Sequence, residues 1–310
     1  MFSVIFPGQG SQSVGMSKEL YDNFTYVKDL FKQADDTLGY SISKIILEGP
    51  KEHLDLTENT QPAIFLASYA IFEMIKKESN LNLEGAKYFA GHSLGEYSAL
   101  AASKSLDFSN AIKLLNERGK AMQTAVPKGT GGMLAVLGID IKQINNLLEE
   151  NENDYKCYIA NDNSNGQVVL SGLNIDIDKF IDTLKAKKIK NIKLPVSAPF
   201  HCKLMDKATS IMKDKINNTT FEKPKNVIIS NVTASETQEI DKIKDLLIKQ
   251  IESPVRWRES VIYMIKKGVT NFVEIGPGKV LSGLVKRIDK TINVNTINKL
   301  EDLKNIKLND

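Results

Sequence analysis

The chain has 310 residues, of which 42% are hydrophobic, so it is long and apolar enough to bury one large core or two smaller ones. Its 41 basic and 38 acidic residues leave a formal charge of +3, which is too small to favour nucleic acid as a partner. No apolar run approaches the roughly 20 residues that span a bilayer, and the two cysteines form no disulfide or zinc pattern. We therefore expect a cytoplasmic globular protein that binds no metal, membrane or nucleic acid.

The N-terminal part alternates strand and helix patterns. An apolar strand is predicted at 3–6, too short for a signal peptide, and a loop at 7–12 follows it. The glycines of this loop let the backbone approach a ligand, but Ser13 stands where a dinucleotide fingerprint needs a third glycine. Helical spacing then covers 17–38 and 60–77. This pattern indicates an α/β fold.

The segment Gly91-His92-Ser93-Leu94-Gly95 has the G-x-S-x-G spacing of a nucleophile elbow. An apolar run at 87–90 precedes it and an alanine-rich stretch at 96–103 follows, as expected for a strand that turns sharply into a helix. Such a turn exposes Ser93 as a nucleophile and aims the backbone N–H of Leu94 at the atom that the serine attacks. A chance match to this short pattern is the alternative.

A helix predicted at 108–123 places Arg118 on its apolar face, because positions 111, 115, 118 and 122 share one side of a helix. An inward guanidinium is unfavourable unless an anion meets it, and no acidic residue lies on that face. Arg118 therefore either binds an anionic ligand or extends to the solvent at the rim of the apolar stripe. The residues alone leave both interpretations open.

The glycine-rich segment at 128–132 is the clearest break in the chain and predicts a domain boundary. The pattern beyond it has the order βαββαβ, which is typical of a ferredoxin-like domain. We therefore predict a small subdomain at 129–196 inserted into a core formed by 1–128 and 197–310. Its predicted elements are strands at 133–139, 156–160, 167–171 and 190–196 and helices at 141–150 and 175–187.

Three histidines are candidates for the general base that a serine nucleophile needs. His92 is adjacent to the serine and points elsewhere in a tight turn, and His53 lies in a polar segment that we expect to be exposed. His201 follows the predicted insertion, where it can overhang the serine. Elimination favours His201 as the base, although a lone histidine is more often structural.

The remaining chain predicts further α/β elements. These are a strand at 226–232, helices at 242–251 and 254–267, a strand at 271–275 and a helix at 280–288.

With these segments assembled, the chain resembles the malonyl-CoA:acyl-carrier-protein transacylases over essentially its whole length. Seven motifs in the same order make the resemblance specific. They are Pro7-Gly8-Gln9-Gly10-Ser11-Gln12, Thr60-Gln61-Pro62-Ala63, Gly91-His92-Ser93-Leu94-Gly95-Glu96, Arg118-Gly119-Lys120-Ala121-Met122, His201-Cys202-Lys203-Leu204-Met205, Pro254-Val255-Arg256-Trp257 and Glu274-Ile275-Gly276-Pro277-Gly278-Lys279-Val280-Leu281. The resemblance implies a hydrolase-like α/β core with a parallel sheet and an inserted ferredoxin-like subdomain.

The resemblance assigns roles to five residues. Ser93 corresponds to the acylated serine and His201 to its base. Arg118 corresponds to the arginine that binds the malonyl carboxylate, and the backbone N–H groups of Gln9 and Leu94 to the oxyanion hole. No metal or cofactor is implied, since malonyl-CoA is a substrate.

Four further residues follow from the same resemblance. The carbonyl that orients the histidine falls at Gln250, and Met122, Phe200 and Gln61 are expected to line the pocket. Many discrete bacterial members have serine where Phe200 stands, whereas malonyl-selective domains of larger synthases have phenylalanine. Phe200 is therefore expected to narrow the pocket.

The implied activity is ping-pong transfer of malonyl from malonyl-CoA to the pantetheine thiol of acyl carrier protein through a malonyl-serine, in fatty-acid synthesis, by a monomeric enzyme. Phe200 leaves a polyketide pathway open as the alternative. A serine esterase or thioesterase is disfavoured by chain order, because more than a hundred residues follow His201, whereas the hydrolase histidine comes late in the chain. A non-catalytic carrier-binding scaffold is disfavoured because Ser93, His201 and Arg118 are all present.

Overall fold

Two β-sheets organise the chain in the computed structural model, which describes residues 1–151, 153–196 and 198–306. A larger, mainly parallel sheet and a separate antiparallel sheet confirm the predicted α/β class. The strands are β1 (Phe2–Phe6), β2 (Tyr88–Gly91), β3 (Gly131–Leu137), β4 (Cys157–Ser164), β5 (Gln167–Leu173), β6 (Lys190–Lys193), β7 (Val227–Ile229), β8 (Glu236–Thr237), β9 (Asn271–Ile275) and β10 (Asn293–Ile297).

Helices cover both sheets. The α-helices are α1 (Lys18–Asn23), α2 (Thr25–Leu38), α3 (Ile42–Glu48), α4 (Lys51–Leu54), α5 (Thr57–Glu78), α6 (Gly95–Ala102), α7 (Phe108–Thr124), α8 (Ile141–Glu150), α9 (Asn174–Ala186), α10 (Asp206–Asn217), α11 (Ile240–Gln250), α12 (Trp257–Lys266) and α13 (Val280–Ile288). Short 3₁₀ turns occur at Leu83–Gly85, Lys203–Met205 and Leu300–Asn305. No helix in the described part of the chain is long and apolar enough to cross a membrane.

The larger sheet has the order β10-β9-β1-β2-β7-β8, in which only β8 runs antiparallel to its neighbour. The chain order reverses at β1, because β2 adds to one side of β1 and β9 to the other. Ligands of open parallel sheets bind beyond the carboxyl ends of the strands at such a reversal. The loop after β1 and the elbow after β2 both lie at this edge.

The smaller sheet has the order β4-β5-β3-β6 and is antiparallel throughout. Its elements follow the chain order βαββαβ, as the pattern of the sequence predicts. The sheet begins at Gly131 and ends at Lys193, inside the predicted subdomain 129–196. Residue 197, which begins the second core segment, lies outside the described residues, and the division into domains stays a prediction.

Helix α5 passes through the core and is buried on nearly all sides. Pro62 lies inside it and cannot donate a hydrogen bond to the carbonyl of Glu58. The side chain of Asn116 on α7 donates to that carbonyl instead, at 3.0 Å. Gly119 lets the two helices approach closely, since a Cβ there would lie 2.5 Å from the carbonyl oxygen of Thr57. These contacts hold α5 and α7 together.

Several predicted elements differ in extent from the observed ones. The helix predicted at 17–38 is two helices, because Phe24 between them has an extended backbone. The strand predicted at 226–232 ends at Ile229, and the strand predicted at 156–160 continues to Ser164 through irregular pairing. Helices α3, α4 and α10 and strand β10 have no counterpart among the predicted elements.

Candidate active site

Ser93 lies in a sharp turn between β2 and α6. Its φ of 53° is in the left-handed region, which is uncommon for residues other than glycine. A Cβ on Gly91 would lie 2.0 Å from the carbonyl carbon of Gly95, and a Cβ on Gly95 would lie 2.3 Å from the carbonyl oxygen of Phe6. Only glycine fits at these two positions, so the predicted elbow geometry is present.

The side chain of His201, which follows the smaller sheet in the chain, reaches the elbow. Its Nε2 lies 2.9 Å from Oγ of Ser93, and its Nδ1 lies 2.8 Å from the carbonyl oxygen of Gln250. A carbonyl oxygen only accepts, so Nδ1 carries the proton and Nε2 is free to accept the serine proton. The structure therefore brings together Ser93, His201 and the carbonyl of Gln250 in the order that base catalysis needs.

His201 is only 4% exposed. Burial and, to a lesser extent, the positive charge of Arg118 together lower its pKa to about 3. The imidazole is therefore neutral at physiological pH. His53, the alternative base, is exposed as expected and lies on the short helix α4.

Arg118 is buried, with 1% of its surface exposed, so the alternative in which it extends to the solvent is wrong. Its Nη1 donates to Oε1 of Gln61 at 2.8 Å, and its Nη2 donates to Oε1 of Gln250 at 2.9 Å and to Oγ of Ser93 at 3.1 Å. These partners are neutral oxygens. The guanidinium thus stands beside the serine hydroxyl with no carboxylate in direct contact among the described residues.

The surrounding cavity has a volume of about 220 Å³ and lies between the elbow and the smaller sheet. Its lining includes all of the residues predicted for the oxyanion hole and the pocket, which are Gln9, Leu94, Gln61, Met122 and Phe200. Within the described chain, no protein acceptor is bonded to the backbone N–H of Gln9 or Leu94. These donors are available to a ligand.

Comparison with known proteins identifies the family to which the chain belongs. The acyl transferase domain family matches residues 3–302. The chain belongs to this family. It is 43% identical to the malonyl CoA-acyl carrier protein transacylase of Bacillus subtilis over 93% of this chain and 90% of the relative. It is therefore an acyltransferase.

Solved structures of acyl transferase family members are similar over nearly the whole chain. The acyl-carrier-protein-S-malonyltransferase of Bartonella henselae is 39% identical, with a TM-score of 0.95 over 98% of this chain and 97% of that one. A type II PKS acyl-carrier protein in complex with its malonyl-transacylase is also similar, with 38% identity and a TM-score of 0.93 over 98% of this chain and 97% of that one.

Two polar residues beneath the elbow have no role in the sequence-based prediction. Asn231 accepts a bond from the backbone N–H of Ser93 at 2.7 Å and donates to the carbonyl of Gly91 at 2.7 Å. Glu96 accepts from the backbone N–H of Asn231 at 3.0 Å and from Nε2 of Gln250 at 2.8 Å. The sequence signals for Glu96 were its place in the motif Gly91–Glu96 and its charge at the start of an alanine-rich helix, and Asn231 had none.

His92 contacts the smaller sheet rather than the serine. Its Nε2 lies 2.8 Å from Oδ1 of Asn163 on β4, and its ring lies 5.8 Å from that of Trp257. Burial lowers the pKa of His92 to about 4, against the bond with Asn163, which raises it. In the described residues, no group of three His, Cys, Asp or Glu side chains could hold a metal ion.

Proposed function

We propose that this acyl transferase moves malonyl from malonyl-CoA to the pantetheine thiol of acyl carrier protein. The observation that carries the proposal is the contact between Arg118 and Ser93, which places a buried cation beside the acceptor hydroxyl. A malonyl group has a carboxylate one methylene away from the carbonyl that the serine attacks. A guanidinium binds such a carboxylate through two parallel charge-assisted bonds. The names of the relatives support the same substrates.

The first half-reaction acylates the serine. Nε2 of His201 takes the proton of Ser93 as Oγ attacks the thioester carbonyl, and the oxyanion accepts bonds from the N–H groups of Gln9 and Leu94. The tetrahedral intermediate then breaks its carbon–sulfur bond. CoA thiolate leaves with the proton from His201, and malonyl stays on Ser93 as an ester.

The second half-reaction runs through the same groups. The pantetheine thiol loses its proton to His201 and attacks the malonyl ester, and the oxyanion again forms between Gln9 and Leu94. Collapse of the intermediate returns the proton to Oγ of Ser93 and releases malonyl-carrier protein. The carbonyl of Gln250 keeps the imidazole in the required tautomer throughout, in the position that an acid occupies in other serine enzymes.

The proposed setting is fatty-acid synthesis, in a cytoplasmic enzyme that acts as a monomer without a cofactor. Two free cysteines support a reducing compartment. A polyketide pathway is the second candidate. Two observations favour it: Phe200 lines the cavity beside His201, and the chain is similar to the transacylase in complex with a type II PKS carrier.

Intact-mass analysis tests the proposal. The protein is mixed with malonyl-CoA, with and without a carrier protein that bears pantetheine. We expect one malonyl adduct, mapped to Ser93, that disappears when carrier protein is added and malonyl-carrier protein appears. Release of free malonate at the same rate without carrier protein would instead support a hydrolase, and Ser93→Ala is the control that takes up no malonyl.

A further inference from the structure

The buried guanidinium of Arg118 has a charged neighbour that it does not touch. Glu96 is 2% exposed, and its carboxylate is bonded to the side-chain amide of Gln250, whose other end accepts from Arg118. Gln250 thus lies between an anion and a cation. Its side chain is fully buried, so water does not screen this arrangement.

The two ends of the Gln250 amide have different hydrogen-bond partners, one that needs a donor and one that needs an acceptor. The carboxylate of Glu96 accepts hydrogen bonds, so it requires the NH₂ group at 2.8 Å, whereas Nη2 of Arg118 donates and requires the carbonyl oxygen at 2.9 Å. The same NH₂ group also donates to the backbone carbonyl of Ser93 at 3.2 Å, so an uncharged group in place of Glu96 would weaken this orientation of the amide. Among the acceptors bonded to this NH₂ group in the described residues, Glu96 is the nearest and is the one that carries a charge.

The same carboxylate also holds the elbow. Oε2 of Glu96 accepts from the backbone of Asn231, whose side chain bonds both Ser93 and Gly91. Glu96 is thus joined to the serine through one amide and to the arginine through another. The electrostatic influence is mutual, because the charge of Arg118 lowers the pKa of Glu96 and the charge of Glu96 raises that of Arg118, while burial acts in the opposite direction on both.

We infer that Glu96 is a positioning residue that serves as the indirect counter-charge of Arg118. A direct ion pair would neutralise the guanidinium and occupy the N–H groups that a substrate carboxylate needs. Placing the anion one amide further away balances the buried cation and leaves its cavity side available. This inference rests on the proposed function, because its expected consequence is that the enzyme prefers malonyl to acyl groups that have no carboxylate.

The test is a double-mutant cycle with the whole protein. Glu96→Gln keeps the shape of the side chain and removes its charge, and acylation by malonyl-CoA and acetyl-CoA is measured in wild type, Glu96→Gln, Arg118→Ala and the double variant. Assays at about pH 8 keep Glu96 ionised, since burial raises its pKa to about 7. We expect Glu96→Gln to lower the malonyl-to-acetyl ratio at least about threefold, and to have no further effect on it once Arg118 is absent.

A matched control separates this role from a general loss of stability. Glu274 is another buried carboxylate, and it accepts from the backbone N–H groups of Leu281 and Ser282 rather than from the Gln250 network. Glu274→Gln should lower the melting temperature without changing the malonyl-to-acetyl ratio. If Glu96→Gln does not fold, Glu96→Asp takes its place in the cycle: it keeps the charge but withdraws it from Gln250 by one methylene, so the malonyl-to-acetyl ratio should still fall, by less than in Glu96→Gln.

A second measurement does not depend on turnover. In ¹⁵N-arginine spectra, the Arg118 signals are assigned by their loss in Arg118→Ala, and their N–H groups should exchange faster with solvent in Glu96→Gln but not in Glu274→Gln. Arg118 signals that are unchanged in Glu96→Gln would overturn the inference. So would a Glu96→Gln substitution that slows acylation by malonyl-CoA and by acetyl-CoA equally, both when Arg118 is present and when it is replaced by alanine. A wild type without malonyl preference would overturn the proposed function instead, and the spectra would still decide the role of Glu96.

Discussion

Arg118 on α7 donates a 3.1 Å hydrogen bond to Oγ of Ser93, which lies at the elbow after β2. The serine oxygen thus accepts from a cation while it faces Nε2 of His201. Positive charge at this oxygen favours its deprotonation, and the same cation is placed to bind a carboxylate of the acyl group.

Replacing Arg118 with alanine tests the substrate class. The variant loses charge-assisted bonds to malonyl worth about 1.5–3 kcal/mol, so malonyl transfer should fall by about tenfold or more. Acetyl has no carboxylate to lose, and its transfer should fall much less or rise. The measurement is the ratio of malonyl to acetyl turnover in wild type, Arg118→Ala and Arg118→Lys. Arg118→Lys should restore the ratio only in part, because lysine lacks the planar guanidinium that binds both carboxylate oxygens. A ratio that is unchanged in Arg118→Ala would show that Arg118 does not recognise the substrate.

His201→Ala should slow acylation by the roughly 10²–10⁴-fold that is typical of a lost general base. Single-turnover formation of the acyl-enzyme, followed by mass spectrometry, measures this step directly. His53→Ala is the matched control, because His53 is exposed on α4, and it should keep the wild-type rate. A large loss in His53→Ala with a normal rate in His201→Ala would contradict the assignment.

The elbow tolerates no side chain at Gly91. Gly91→Ala places a Cβ 2.0 Å from the backbone of Gly95, and overpacking of this kind lowers the free energy of unfolding by about 1–3 kcal/mol or more. Gly283 lies within α13 with no atom within 4 Å of an added Cβ, so Gly283→Ala should be neutral or more stable by up to about 1 kcal/mol. Urea midpoints of the two variants check the contrast, and equal midpoints would argue against a strained elbow.

Stability should fall with acidification through His92. Burial lowers its pKa from 6.5 to about 4 in the folded protein, so between these values the unfolded chain binds the proton more readily. The contribution of His92 to the free energy of unfolding is complete above pH 6.5 and is lost as the pH falls towards about 4. His92→Gln keeps an amide donor for Asn163 but does not titrate. Urea unfolding from about pH 7.5 to about pH 5 should therefore show a steeper loss in wild type, and parallel curves would contradict a buried neutral His92.

Much of the fold follows from local patterns. The apolar periodicity of 108–123 and the βαββαβ order of 129–196 depend on neighbouring residues only, and the structure has α7 and the smaller antiparallel sheet at those places. The break at Phe24 and the helices α3, α4 and α10 were not predicted, because their short or interrupted patterns gave weak periodicity.

The sequence by itself determined the elbow, since a strand, two glycines and a helix within a few residues specify the turn around Ser93. It also limited the base to three histidines. The tertiary structure decided the rest, because hydrogen bonds between distant residues depend on which strands are neighbours. Only the placement of β2 beside β7 brings Asn231 beneath the elbow, and only the approach of α5, α7 and α11 surrounds Arg118 with the oxygens of Gln61 and Gln250. Helical periodicity placed Arg118 on an apolar face, but burial at 1% exposure was needed to exclude an arginine that reaches the solvent.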